Sequence, residues 1–360
     1  MVGGGQGAFI GAVHRIASRL DGDWELVAGA LSSDPARASA SAVELGLDPD
    51  RSYSDFRRMA TAEARRSDGI DAVSIVTPNH LHAGPAIAFL EAGIHVICDK
   101  PLSATLDDAK AVVAAVEASG KTFILTHNYT AYPMIRQARD MVAKGDLGRI
   151  RVIQAEYAQD WLTEPGRTDP ARSGAGGCVG DIGTHAFNLA CFVTGLRPVS
   201  VAADLDSFVE GRRLDDNVQV LLRFDGGAKG MLWASQVAVG NENGMRLRVF
   251  GEIGGLEWCQ ENPNLMTYTR FGNPKQLLTR AGAGATEPAN AVSRIPGGHP
   301  EGYLEGFATV YREAAALIRS GENVSGSLLP TVSDGLAGME FIEACVESSS
   351  SNSAWVWLNS

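Results

Sequence analysis

From residue 1 to residue 145 the chain alternates short apolar runs with longer amphipathic stretches. The runs Glu25–Leu31, Asp71–Val76, Ile94–Cys98 and Thr122–Thr126 have strand length. Apolar positions at helical spacing, or unbroken good helix formers, mark helices through Ala12–Leu20, Ala36–Leu45, Asp55–Arg66, Ala86–Ala92, Leu106–Ser119 and Met134–Lys144. The continuous run over residues 71–76 is what a strand covered on both faces requires. Strand and helix in strict alternation predict a doubly wound parallel sheet. After Gly148 the regime changes. Residues Ile150–Tyr157, Val199–Val209, Asp216–Phe224, Ala228–Val237 and Met245–Phe250 read as strands, the last four with no helix between them and with a turn at Asp225-Gly226-Gly227. That predicts a large open, mostly antiparallel sheet. Gly272–Gly298 reads as a surface loop, Leu304–Arg319 and Thr331–Val346 as helices, and Ser348–Ser351 as a spacer. The expected division is a dinucleotide-binding Rossmann domain over residues 1–128, a substrate-binding and oligomerisation domain over 129–345, and a tail over 346–360.

Chemistry concentrates at the ends of the parallel strands. They are followed by Thr77-Pro78-Asn79, Asp99-Lys100-Pro101 and His127-Asn128-Tyr129, all on the carboxyl edge, where open α/β sheets bind ligands. Gly3-x-Gly5-x-x-Ala8 leads into the first helix and matches a turn that brings backbone amides up to a pyrophosphate at a helix N-terminus. Only Met1-Val2 precede it as a first strand. Where an acidic residue would grip a ribose 2′-hydroxyl stands Ser32-Ser33-Asp34, with Arg37 near, so NAD and NADP are both open. A loop lysine is ordinarily a solvated charge, but Lys100 follows an apolar strand and precedes a stiffening proline, which holds it at the sheet mouth. In the second half, Asp181 and His185 stand four apart at the start of an apolar helical run. They are either a helix opener and a satisfied core histidine, or two groups aimed into one pocket.

These residues together resemble the Gfo/Idh/MocA oxidoreductases over essentially the whole chain. The likeness rests on the glycine turn, Thr77-Pro78-Asn79-x-x-His82, Asp99-Lys100-Pro101 (usually Glu-Lys-Pro) and Asp181-x-Gly183-x-His185. Within the family, Gln159-Asp160-Trp161-Leu162, the Asp181 segment and Gly298-His299-Pro300-Glu301-Gly302-Tyr303 are most similar to levoglucosan dehydrogenase-like and inositol-type sugar dehydrogenases. The chain departs in its lengthened glycine turn, which sets Ile10-Gly11-x-x-His14 late by two residues, in Asp99, and in the missing acidic residue. The resemblance implies a catalytic set of Lys100, Asp181 and His185. It implies cofactor contacts from Gly3, Gly5, Gln6, Ala8, Phe9, Ile10, Ser32, Ser33, Arg37, Thr77, Pro78, Asn79, His82, Asp99, Lys100 and Asn128. Substrate contacts would come from Lys100, Tyr129, Gln159, Trp161, Arg167, Asp181, His185 and His299. Packing is an equal reading for Trp161, Arg167 and Tyr303, and a plain turn for His299.

The function expected is NAD(P)-dependent hydride transfer between a nicotinamide and a secondary alcohol of a sugar, anhydrosugar or cyclic polyol. His185 would act as general base, Asp181 would orient it, and Lys100 would favour the developing alkoxide. Two alternatives stay open: an enzyme that keeps its cofactor bound, as in transhydrogenation or redox-assisted glycoside cleavage, and a non-catalytic dinucleotide or sugar sensor. The net charge of −11 argues against nucleic acid and anionic membranes as partners. Five scattered cysteines without metal spacing predict free thiols, no metal and a cytoplasmic protein. No apolar run is long enough to span a bilayer. An open sheet needs covering, and the resemblance implies a homodimer or homotetramer through it.

Overall fold

The computed structural model describes residues 1–165, 170–322, 324 and 326–358. Packing divides the chain into two units: Met1–Asn128 with Tyr303–Leu336, and Tyr129–Gly302 with Ala337–Ser360. This differs from the sequence division, which kept 303–336 with the second domain.

The first unit holds a four-stranded parallel sheet in the order β1 (Val2–Gly3), β2 (Ala72–Val76), β3 (His95–Cys98), β4 (Phe123–Leu125). Helices α1 (Phe9–Leu20), α2 (Pro35–Glu44), α3 (Phe56–Arg65), α4 (Ala83–Glu91) and α5 (Leu106–Ser119) intervene. Local chemistry sets their ends. The side chains of Asp34 and Asp55 accept from Arg37 N and Arg58 N at 2.7 and 2.8 Å, Thr105 accepts from Asp108 N, and Gly120 closes α5 in the left-handed region. The expected strand Glu25–Leu31 is reduced to isolated bridges at Gly29 and Ala30. The physical reason is its neighbour: β1 offers only two paired residues, and the Met1 amine already bonds Ala28 O at 2.8 Å.

The second unit carries a nine-stranded mixed sheet. Its helices are α6 (Pro133–Ala143), α7 (Pro170–Ser173), α8 (Thr184–Thr194) and α9 (Glu287–Ala291). Its strands are β5 (Ile150–Ala158), β6 (Pro198–Asp206), β7 (Asn217–Phe224), β8 (Lys229–Ser235), β9 (Gly244–Gly251), β10 (Gly254–Cys259), β11 (Leu265–Arg270), β12 (Gln276–Thr279) and β13 (Val356–Trp357), in the order β12-β11-β10-β9-β5-β8-β7-β6-β13. All neighbours are antiparallel except β5 and β8. Helix α8 lies on β5, β8 and β9, and Phe187 stacks on Phe341 at 4.2 Å. Inward Val218, Val220 and Leu222 alternate with outward Gln219, Leu221 and Arg223 along β7.

Three sequence expectations change here. The loop expected over 272–298 contains β12 and α9. Helix α10 (Tyr303–Ser320) is followed by α11 (Val332–Ser350), which takes in Ser348, Ser349 and Ser350 of the stretch read as a spacer. Ser348 and Ser349 are fixed because their hydroxyls accept Ala203 N and Leu205 N at 2.8 and 3.0 Å, so these serines cap the β6 backbone rather than link. The tail ends in β13, paired to β6.

Candidate active site

In the first unit the register Ile75 to Cys98 to Leu125 sets the residues that follow on one edge. Asp99 N donates to Ile75 O, and Thr126 N to Cys98 O, each at 2.9 Å. The Asp99 carboxylate turns inward. Its Oδ1 accepts from Lys100 N at 3.0 Å and Thr126 Oγ1 at 2.9 Å, and lies 3.9 Å from His14 Nε2. Burial alone would raise this carboxyl, but His14, Lys100 and His82 outweigh it and hold the pKa at about 2. His14 Nδ1 in turn meets Tyr311 Oη at 2.8 Å, and Ser74 shares that hydroxyl. His127 is buried beside the Lys100 charge; desolvation first and the ammonium second hold its pKa to about 3. Asp99 thus anchors the Lys100 loop from behind, and His127 is a neutral floor.

The glycine turn fits a dinucleotide phosphate. Gly3, Gly4 and Gly7 sit at φ +77°, +72° and +78°. Ala8 precedes α1 with no side-chain cap, and the first turn of α1 has no acidic residue, so its amides are left for an anion. The close approach is between Gly4 and Gly11: a Cβ on Gly11 would lie 2.4 Å from Gly4 Cα. Among the expected contacts, Gly5 and Gln6 seat the turn on α2, with Gln6 N donating to Ser41 Oγ at 3.1 Å. Arg37 is tied to the turn by a 3.2 Å bond to Gln6 O, and Ser32 Oγ accepts from Asp34 N at 3.1 Å. Phe9 is 74% exposed, Ile10 packs into the core, and Ser33 and Pro78 are exposed. Asn79 opens a single turn to Leu81. Asn128 Nδ2 is buried with no hydrogen-bond partner among the described residues, a donor suited to a ligand. His82 faces backbone carbonyls instead.

In the second unit Asp181 is not a helix cap. It lies in a π-helical turn, Val179–Gly183, that runs into α8, and His185 follows one turn later. The capping carboxylate is Asp215, which accepts from Gly177 N at 2.6 Å and Val179 N at 2.7 Å. A Cβ on Gly177 would meet Asp215 O at 2.2 Å, which explains the glycine there. Burial raises the Asp215 pKa against these amide bonds. Asp181 Oδ2 accepts from Gln236 Nε2 at 2.8 Å. The His185 ring meets the edges of Tyr129 and Tyr157, with centroids at 5.1 and 6.0 Å.

These tyrosines belong to one polar cluster. Tyr157 Oη donates to Asn243 Oδ1 at 2.7 Å, so the 2.7 Å bond between Tyr129 Oη and Tyr157 Oη runs from Tyr129. Gln159 Nε2 also donates to Asn243 Oδ1, and Asn243 Nδ2 donates to Gln260 Oε1. Trp161, 55% exposed, donates to Gln159 Oε1 at 2.9 Å. Tyr129, Gln159, Trp161 and His185 are therefore brought together. His299 is not: its side chain is exposed, and its carbonyl accepts from buried Arg280 at 2.6 Å. Arg167 lies outside the described residues. Sequence reasoning missed Tyr157, Asp215, Gln236 and Asn243. A glutamine near the end of an otherwise apolar strand run was the available signal for Gln236; Asn243 hides in a run that reads as a turn. Among the described residues no cluster could hold a metal ion, and no helix is long and apolar enough to cross a membrane.

Comparison with known proteins gives the chain's family. Residues 1–127 match the oxidoreductase family with an NAD-binding Rossmann fold, and residues 135–257 match the GFO/IDH/MocA C-terminal domain. An oxidoreductase of Sinorhizobium meliloti is 60% identical, covers 99% of this chain and 97% of its own, and superposes with a TM-score of 0.93. An inositol dehydrogenase homologue from Azotobacter vinelandii, solved with NADH and myo-inositol, is 37% identical over 99% of this chain and 96% of its own, with a TM-score of 0.93. Levoglucosan dehydrogenase of Pseudarthrobacter phenanthrenivorans is 31% identical over 72% of this chain and 73% of its own.

Proposed function

Because the chain belongs to the GFO/IDH/MocA family of NAD-binding oxidoreductases, we propose that it oxidises a ring secondary hydroxyl of a cyclic polyol or sugar, with NAD preferred over NADP. The observation that carries the reading is the Asp181–His185 pair on consecutive turns beside a tyrosine-lined polar cluster. NAD, when bound, supplies the hydride acceptor. His185 takes the hydroxyl proton, Asp181 stabilises the charged ring, and Gln236 holds Asp181 in place. Lys100 is the residue proposed to favour the developing alkoxide. Tyr129, Gln159 and Trp161 orient the ring hydroxyls. The preference for NAD rests on the NAD-binding description of the family and on the neighbour solved with NADH; Arg37, which bonds Gln6 O, is the residue a 2′-phosphate would recruit.

We also propose a second copy of the chain over the outward face of the sheet, where Leu221 on β7 and Met231 opposite it on β8 are exposed and Trp355, just ahead of β13, is exposed as well. The compartment that suits five free thiols is the cytoplasm. The activity test is absorbance of reduced nicotinamide with NAD or NADP against inositols, hexoses and anhydrosugars. Reduction of NAD by one ring-alcohol class, lost in His185→Ala, is expected. Undiminished turnover in His185→Ala would overturn the assignment of the base.

A further inference from the structure

His82 directly precedes α4, and its side chain is buried. Its two ring nitrogens face carbonyl oxygens on two different loops: Nδ1 lies 2.6 Å from Pro101 O, and Nε2 lies 2.8 Å from Thr77 O. A carbonyl oxygen only accepts, and a neutral imidazole carries a single N–H. A neutral ring therefore satisfies one contact and sets lone pair against lone pair at the other. Both contacts are hydrogen bonds only when both nitrogens are protonated. The charged groups acting on the ring are Asp99, which favours the imidazolium, and Lys100, which opposes it. His80, on the same turn, is exposed. Burial is the largest influence and sets the pKa below the ordinary histidine value, against the pull of Asp99 and the two carbonyls.

We propose that His82 is a proton-dependent clasp, a positioning residue that joins the Thr77–Asn79 loop to the Asp99–Pro101 loop when doubly protonated and frees one of them when it loses a proton. The Pro101 contact is the shorter, so Nδ1 keeps the remaining proton and Thr77 O is the partner released. Thr77 stays tethered through Oγ1 to Leu81 O at 2.9 Å, so release loosens the loop without unfolding it. Both loops carry proposed cofactor contacts, so the functional consequence rests on the NAD reading. The protonation chemistry does not.

The direct test is nitrogen-15 NMR of the histidine rings in the intact protein, with the His82 signals assigned by their loss in His82→Gln. The expected result is two protonated nitrogens at acid pH, then loss of the Nε2 proton alone, with a midpoint below that of an ordinary histidine. A ring that keeps one neutral tautomer down to the pH at which the protein unfolds, or that loses its Nδ1 proton first, overturns the clasp. The second arm follows NADH binding by fluorescence across the same range. The wild-type protein is expected to weaken several-fold as the ring deprotonates. His82→Gln, whose amide can donate to one nitrogen's partner only at a time, is expected to bind at the weaker level throughout. NADH affinity in the wild type that is flat across the ring's titration overturns the clasp and leaves the NAD reading intact. Absence of NADH binding at every pH overturns the NAD reading, and the ring titration still decides the protonation chemistry.

Discussion

The contact between Gly4 and Gly11 makes Gly11→Ala a sharp test of how the cofactor turn is built. The new methyl would lie 2.4 Å from Gly4 Cα and 2.7 Å from Gly4 O. Non-bonded carbons meet at about 3.5–4.0 Å, so the turn and α1 must part by about 1 Å or more. Overpacking on this scale costs about 1–3 kcal/mol, and alanine recovers up to about 1 kcal/mol through its helix propensity. A net loss near the upper end, about 2 kcal/mol, lowers the Tm by about 4–8 °C in a unit of this size. The amides at the start of α1 move with the helix, and the expected weakening of NADH binding is about tenfold to a hundredfold, at about 1.4 kcal/mol per decade. Gly7→Ala is the control. Its φ is +78° and nothing lies within 4 Å of the added Cβ, so only backbone strain of about 1 kcal/mol applies. Thermal melts and NADH fluorescence titrations on both variants read the difference. If Gly11→Ala keeps its Tm and binds NADH within about twofold of the wild type, the close approach does not seat the helix.

Three further outcomes follow from the geometry. Gln236→Leu removes the 2.8 Å bond to Asp181, and a hydrogen bond to a charged group is worth about 1.5–3 kcal/mol, so kcat should fall roughly tenfold to a hundredfold while NADH affinity holds; steady-state kinetics with a binding titration separates the two. His127 stays neutral in the folded protein down to about 3, whereas the unfolded chain takes up its proton near 6.5, so stability should decline by up to a few kcal/mol as pH falls from 6.5 toward 3. Asp99, held at about 2 against 3.8, gives up its contribution only at the acid end, as pH falls through 3.8 to 2. Urea melts of His127→Gln should show the first limb flattened, and an unchanged limb would contradict the assignment. Arg280 bonds Ile295 O, Pro296 O and His299 O and lies 3.2 Å from buried Glu301; Arg280→Met should cost about 3–5 kcal/mol in chemical denaturation, with the Glu301 charge left unpaired.

The parallel sheet was legible because its signals are local. Helix α5 spans Leu106–Ser119 as its pattern predicts, with Thr105 at one end and Gly120 at the other. The strand ends fall on one edge because parallel strands with short connections allow little else. Glu25–Leu31 shows the limit: its residues are suited to a strand, but pairing depends on what lies beside it. The spacing of Asp181 and His185 does place them on consecutive turns. The alternative reading of Asp181 as a helix opener falls, because the capping carboxylate, Asp215, comes from a loop more than thirty residues away. Gly254–Cys259 and Leu265–Arg270 were passed over because glycine, proline and asparagine crowd their ends, and β12 because it is short and largely exposed. Cross-strand partners, not composition, settle such segments.

One feature of the fold bears on how the protein is made. The first unit is closed by α10, and the hydroxyl that meets His14 belongs to Tyr311, 297 residues further along the chain. A ribosome therefore delivers the whole glycine turn and parallel sheet early and their last helix late, with every strand from β5 to β12 emerging in between. Domains commonly fold in the order in which they leave the ribosome. Here the nucleotide-binding half emerges ahead of β5 yet is complete only at Leu336, and the sheet unit is complete later still, because Ala337–Ser360, with most of α11 and all of β13, belongs to it. A nascent chain released before residue 303 would carry Val13, His14 and Ala17 of α1 without the α10 surface that buries them.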